Sequence, residues 1–189
     1  MKELLLINSN EKYREPLLTL LHQCGLKQIE LAYSGNEVRR ITQNQNYPMV
    51  IINTPLADEF GHELGVYLSR KSGCLVLLLV KNEIAEEMSL KTQGDGVLVL
   101  AKPINRSSFS QTVRLMITCS QKMRLLQAEN EKLRVSMQQD RVISRAKCLL
   151  IEQGGFTEEQ AHHFLEQQAM NQRTTRYEVA RDVCAQYTD

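Results

Sequence analysis

Residues 49–56 read MVIINTPL: four consecutive apolar residues, then Asn53, Thr54 and Pro55. A run this short, apolar at every position and closed by a proline, fits a strand buried on both faces of a sheet. Working outward, comparable runs recur at Glu3–Ile7, Gln28–Ala32, Cys74–Val80 and Val97–Leu100. Between them, Tyr13–Cys24, Asn36–Thr42, His62–Ser69 and Ile84–Leu90 space their apolar residues for one helical face. Gly25, Gly35, Gly73 and Gly96 mark the joints. The alternation predicts an α/β domain, a five-stranded parallel sheet covered on both sides and joined by right-handed crossovers. Pro16 fits if the first helix begins near Tyr13 or Arg14, which puts the ring in its first turn.

From Asn105 to Gln139 the chain has neither Gly nor Pro, and the apolar spacing becomes a heptad. With Met116, Met123, Asn130 and Met137 at a, positions d fall on Cys119, Leu126 and Leu133. A polar Asn at a beside Leu at d lowers stability but fixes register in parallel two-stranded coils. Glu129 at g and Arg134 at the following e would meet as opposite charges across such a dimer. The spacing therefore predicts a coiled-coil helix over 106–139, with Met123, Leu126, Asn130, Leu133 and Met137 as its dimerisation seam. One long amphipathic helix packed on its own domain is the alternative. Beyond it, residues 140–187 divide into three helical segments. Gly154-Gly155 ends the first, Thr157-Glu158-Glu159-Gln160 opens the second as a capping box, and Thr174 or Thr175 can cap the third.

The 189 residues are 42% hydrophobic and carry a net charge of +1, which excludes global disorder and a uniformly basic coat. No apolar run reaches the ~18 residues a bilayer span needs. The opening MKELLLINSN is too short in apolar residues for a secretory leader. Cys24, Cys74, Cys119, Cys148 and Cys184 are scattered and form no C-x-x-C pair. That pattern suits reduced thiols in the cytoplasm and gives no zinc site. The adjacent pair His162-His163 points about 100° apart on a helix and cannot chelate one ion. No Gly-rich phosphate loop opens a helix, so neither catalysis nor a cofactor is expected.

Residues 1–115 resemble the receiver domain of bacterial response regulators, which has a flavodoxin-like fold. The resemblance is carried by LLLIN with Ser9-Asn10, by VIINTPL and Gly61, and by GVLVLAKPI with Lys102-Pro103. In receivers an acidic pair after strand one and an Asp after strand three hold Mg²⁺, and that Asp accepts the phosphoryl group. The matching positions here are Asn8, Ser9 and Asn53, all neutral. A hard cation needs carboxylate oxygens, and an amide lacks the nucleophilic carboxylate. Val80 stands where receivers place Thr or Ser, and Leu100 where they place an aromatic; Lys102 is retained. The resemblance thus implies a pseudo-receiver without phosphotransfer. Asp58 and Glu59, in the loop after strand three, are expected to be solvated rather than metal-bound.

Residues 135–187 resemble the ANTAR family, the RNA-binding antiterminator domain of AmiR/NasR-type regulators. The ordered pieces are Arg145-Ala146-Lys147, Gly155-x-Thr157-x-x-x-Ala161, Gln168-Ala169-Met170, an Arg173-led loop and Val179-Ala180. Cys148 and Glu166 depart from the usual Gly and basic residue. Residues 140–189 hold six Lys+Arg against eight Asp+Glu, so any RNA affinity must come from positioned cations. Residues 102–139 are more basic, with seven against two. Arg141 and Arg145 share a helix face; Lys147 points elsewhere. The candidate RNA contacts are Arg145, Lys147, Arg173, Arg176 and Tyr177, the last as a stacking platform for a loop base.

Together these resemblances imply a bacterial transcription antitermination regulator. It would be a homodimer joined by its coil, bind hairpins in leader transcripts, and be held by a possible regulatory protein partner. The expected domains are a pseudo-receiver over 1–115, a coil over 106–139 and a three-helix RNA-binding bundle over 140–189. The alternative is a protein-interaction module, with the pseudo-receiver docked on a ligand-sensing partner and the bundle as a second docking surface.

Overall fold

The computed structural model describes residues 2–187. The chain forms two compact units, divided between Arg124 and Leu125. In the first, strands β1 (Leu4–Asn8), β2 (Ile29–Ala32), β3 (Met49–Asn53), β4 (Leu75–Lys81) and β5 (Val97–Lys102) alternate with helices. These helices are α1 (Glu11–Gln23), α2 (Gly35–Asn44), α3 (His62–Ser72) and α4 (Ala85–Lys91), and α5 begins at Arg106. All strand pairs are parallel, in the order β2-β1-β3-β4-β5.

The period of two along each strand sorts the core into two layers. Leu5, Ile7, Val50, Ile52, Val76 and Leu78 pack against Val38, Leu64, Leu68 and Met88 from α2, α3 and α4. Leu4, Leu6, Met49, Ile51, Leu77 and Leu79 pack against Leu17 and Leu21 of α1 and Phe109, Val113 and Met116 of α5. Every residue of β1 and β3 is buried, whereas the edge strands β2 and β5 are mostly half-buried. That is why the central runs are uniformly apolar.

Two expectations are corrected. Pro16 lies in the second turn of α1, not the first. Asn10 caps the helix by accepting from the Lys12 N–H (3.0 Å), so the helix starts ahead of Tyr13. Lys12 and Pro16 are both exposed, which leaves water to satisfy the carbonyl that the missing proline N–H cannot reach. Met116 is not a seam position: it is 1% exposed within the sheet-facing layer. The early turns of α5 close the receiver-like core before any seam can begin.

α5 runs unbroken from Arg106 to Glu152, so the expected coil and the first bundle helix are one element. Asn105 starts it by accepting from the N–H groups of Ser107 (2.9 Å) and Ser108 (3.2 Å). In the second unit α6 (Glu158–Gln172) and α7 (Arg176–Gln186) complete the bundle. Thr157 and Gln160 form the capping box of α6, and Thr175 caps α7. The core is small: Ala146 and Leu150 from α5, Ala161, Leu165 and Ala169 from α6, Val179, Ala180 and Val183 from α7. Among the described residues no helix is long and apolar enough to cross a membrane.

Candidate nucleic-acid interface and phosphoacceptor cleft

Parallel register places Asn8 beside Asn53, at the carboxyl ends of β1 and β3. Both are buried, and their amides form a directed chain of hydrogen bonds. Lys102 donates to the Asn53 Oδ1 (3.1 Å) and to the Thr54 carbonyl. Asn53 Nδ2 donates to the Asn8 Oδ1 (2.9 Å), and Asn8 Nδ2 donates to the Asn10 carbonyl (2.8 Å). Ser9 is used differently, bridging the Tyr33 carbonyl and the Ala57 N–H (2.9 Å). Asn8, Asn53 and Lys102 are therefore joined in one hydrogen-bond network, while Ser9 bonds outside it. Burial, and then the nearby charge of Lys81, push the Lys102 ammonium below its ordinary pKa.

The loop carboxylates point away from this cleft and bond to protein donors instead. Asp58 accepts from the N–H groups of Asn36 (2.9 Å) and Gly35 (2.8 Å), at the start of α2. These bonds lower its pKa, in that order of effect. Glu59 pairs with Arg39, its Oε2 3.0 Å from Nη2. It reaches there because Gly35 has no Cβ in its path. Among the described residues no cluster of three or more His, Cys, Asp or Glu could hold a metal ion.

In the second unit, the candidate RNA contacts lie on or beside the three helices. Arg145 and Arg173 are exposed and carry no ion pair among the described residues. Arg173 sits at the end of α6 with φ +52°, the one non-glycine residue described in the left-handed region. Lys147 pairs with Glu158 (3.1 Å) and Arg176 with Glu166 (3.3 Å). Glu166 also lies 3.4 Å from His162. Surface pairs of this kind contribute about 0–1 kcal/mol, so a phosphate can displace them. Tyr177 is half-buried and lies outside the hydrophobic cluster, where Tyr187 is the tyrosine packed against it.

Along α5, residues 124–141 are exposed on every side. Leu126 (65%), Leu133 (58%) and Met137 (59%) present apolar surface in heptad register with Asn130, while Met123 is half-buried. Glu129 and Arg134 have no ion pair within the chain among the described residues.

A receiver fold followed by helices of the ANTAR domain defines the class of protein this chain resembles, the ANTAR-type response regulators. Residues 131–183 match the ANTAR domain. The transcriptional regulatory protein PdtaR of Mycobacterium tuberculosis is 21% identical over 179 residues, 95% of this chain and 87% of that protein. The signal receiver domain of an HD domain-containing protein from Pseudomonas fluorescens superposes with a TM-score of 0.57 at 18% identity. It covers 65% of this chain and 91% of its own. A CheY-like receiver domain protein from Methanospirillum hungatei gives 0.57 at 17% identity, covering 65% and 98%. At such identities these two likenesses speak for the fold alone.

Sequence reasoning missed Lys81 and the two ion pairs of the bundle. Lys81 was legible in principle: the apolar run of β4 stops at Val80, and parallel register sets Lys81 beside Lys102. The ion pairs join residues ten or more apart on different helices, and no spacing rule announces them.

Proposed function

We propose that the chain is a bacterial, cytoplasmic transcription antitermination regulator that binds RNA hairpins in nascent leader transcripts. The observation that carries the reading is the match of 131–183 to the ANTAR domain, with Arg145 and Arg173 exposed and unpaired among the described residues. Such cations release counterions from RNA, and Tyr177 gives a face for an unstacked loop base. Lys147 and Arg176 add to the set once their surface pairs open.

Residues 1–115 act as a pseudo-receiver that takes no phosphoryl group, because Asn53 offers an amide already bonded to Asn8 and Lys102. Residues 106–139 pair two chains through Met123, Leu126, Asn130, Leu133 and Met137. A helix this exposed is marginal alone in water, and a second copy would cover its apolar stripe. Residues 140–189 form the RNA-binding bundle, and two linked bundles gain avidity on paired hairpins of matching spacing. No catalysis is assigned, and control passes through a partner protein.

The test is sequencing of RNA that co-purifies with the full chain. Enrichment of leader transcripts with paired hairpins ahead of a terminator is expected; a profile equal to total RNA overturns the reading. Acetyl phosphate with Mg²⁺ should add no phosphoryl mass. The docking-module reading is favoured by one observation, that Lys147 and Arg176 already face carboxylates. It predicts full partner capture and unchanged RNA recovery in Lys147→Ala with Arg173→Ala.

A further inference from the structure

The cleft above the sheet in the first unit is a cavity of about 580 Å³. That lies within the ~300–1,000 Å³ typical of small-molecule sites, at the carboxyl ends of parallel strands where such sites form in open α/β sheets. Its lining includes apolar surface from Leu17, Leu20 and Ile104 and the side chain of Tyr13. It also includes Lys81 and Lys102, neighbours across β4 and β5. Among the described residues no carboxylate lines it. Among the described residues Lys102 donates to two neutral oxygens, the Asn53 amide and the Thr54 carbonyl. Asn10, the cap of the thirteen-residue α1, also lines the cleft. With Asn8, Ser9 and Asn53 neutral, the two ammonium groups have no carboxylate counterion in the cleft among the described residues.

We propose that this cleft binds a small organic anion without covalent chemistry. A carboxylate or phosphate head would lie against Lys81 and Lys102, and an apolar body against Leu17, Leu20 and Ile104. A charge-assisted hydrogen bond in a partly desolvated cleft anchors the head, and burial of apolar surface holds the body. Neither half suffices alone: an inorganic ion lacks the apolar contacts, and a neutral analogue leaves the lysines unpaired.

The test is NMR titration of the full chain with benzoate, phenyl phosphate, benzyl alcohol and inorganic phosphate. Saturable shifts at the Leu17, Asn53 and Lys102 amides are expected with either aromatic anion, and their relative affinity assigns the head group. Benzyl alcohol and inorganic phosphate should bind about tenfold more weakly or worse. Lys81 is exposed, so Lys81→Gln should fold normally while weakening both anions about tenfold and leaving benzyl alcohol unchanged. Equal binding of the alcohol and the anions, no saturation with any probe, or unaltered affinity in Lys81→Gln overturns the proposal. RNA binding is a separate readout, so failure of one inference leaves the other standing.

Discussion

Asn53 donates a hydrogen bond to Asn8 across 2.9 Å, joining the ends of two central strands where a receiver would set carboxylates that repel one another. Two carboxylates at that separation would need a cation or a proton between them. Two amides need neither, since one supplies the donor and the other the acceptor. The change thus removes the requirement for metal and ties β3 to β1.

That bond should be worth measurable stability. Asn53→Ala strips partners from Asn8 and Lys102 at a site only 6% exposed. Leaving buried polar groups unsatisfied costs about 1–3 kcal/mol, so urea unfolding of the first unit should shift by that amount. A variant as stable as the parent would mean the network is ornamental.

Acid should loosen the same unit through α2. The Asp58 carboxyl is held below its ordinary value by the backbone N–H groups of Asn36 and then Gly35. A depressed folded-state pKa gives stability that is present above the unfolded value and lost as pH falls through the folded one. The loss therefore begins below about pH 4. Glu3, lowered by the N–H groups of Gln28 and Lys27, acts in the same direction. Asp58→Asn should flatten the fall of the melting temperature with pH, followed by circular dichroism between pH 6 and 3.

Much of this architecture was legible in the sequence. Buried central strands show as unbroken apolar runs because both their faces meet helices, and Thr157 with Gln160 announces a helix start through local bonding alone. The neutral residues at 8, 9 and 53 were legible through the resemblance to receiver domains, which assigns their positions after strands one and three. What was hidden depends on packing between distant residues. Heptad spacing cannot distinguish Met116 facing the sheet from Met116 facing a second chain. The commitment of Asp58 and Glu59 to α2 depends on a loop path that no periodicity encodes.

Asn130 is predicted to set register in the paired helix. Asn130→Val replaces a polar seam residue by a β-branched one, which raises association but relaxes choice of oligomer and orientation. Sedimentation velocity should show tighter association with species beyond the dimer. An unchanged dimer would remove Asn130 from the seam.

Arg173 separates folding from binding. Its left-handed backbone costs about 1 kcal/mol for a side chain with a Cβ, and glycine relieves that strain. Arg173→Gly should therefore keep or raise the melting temperature of the bundle while weakening RNA binding. Lost binding with lost stability would mark Arg173 as structural only.

Salt dependence of RNA binding tests the account at its centre. Fluorescence anisotropy with the full chain and a paired-hairpin leader RNA, from low to physiological salt, reports how many phosphates the bundles neutralise. Affinity should exceed that for a scrambled RNA, and log K should fall against log salt with a slope of about −2 or steeper. Lys147→Ala with Arg173→Ala should flatten that slope by about 1–2. Equal affinity for both RNAs with a flat salt response would contradict it.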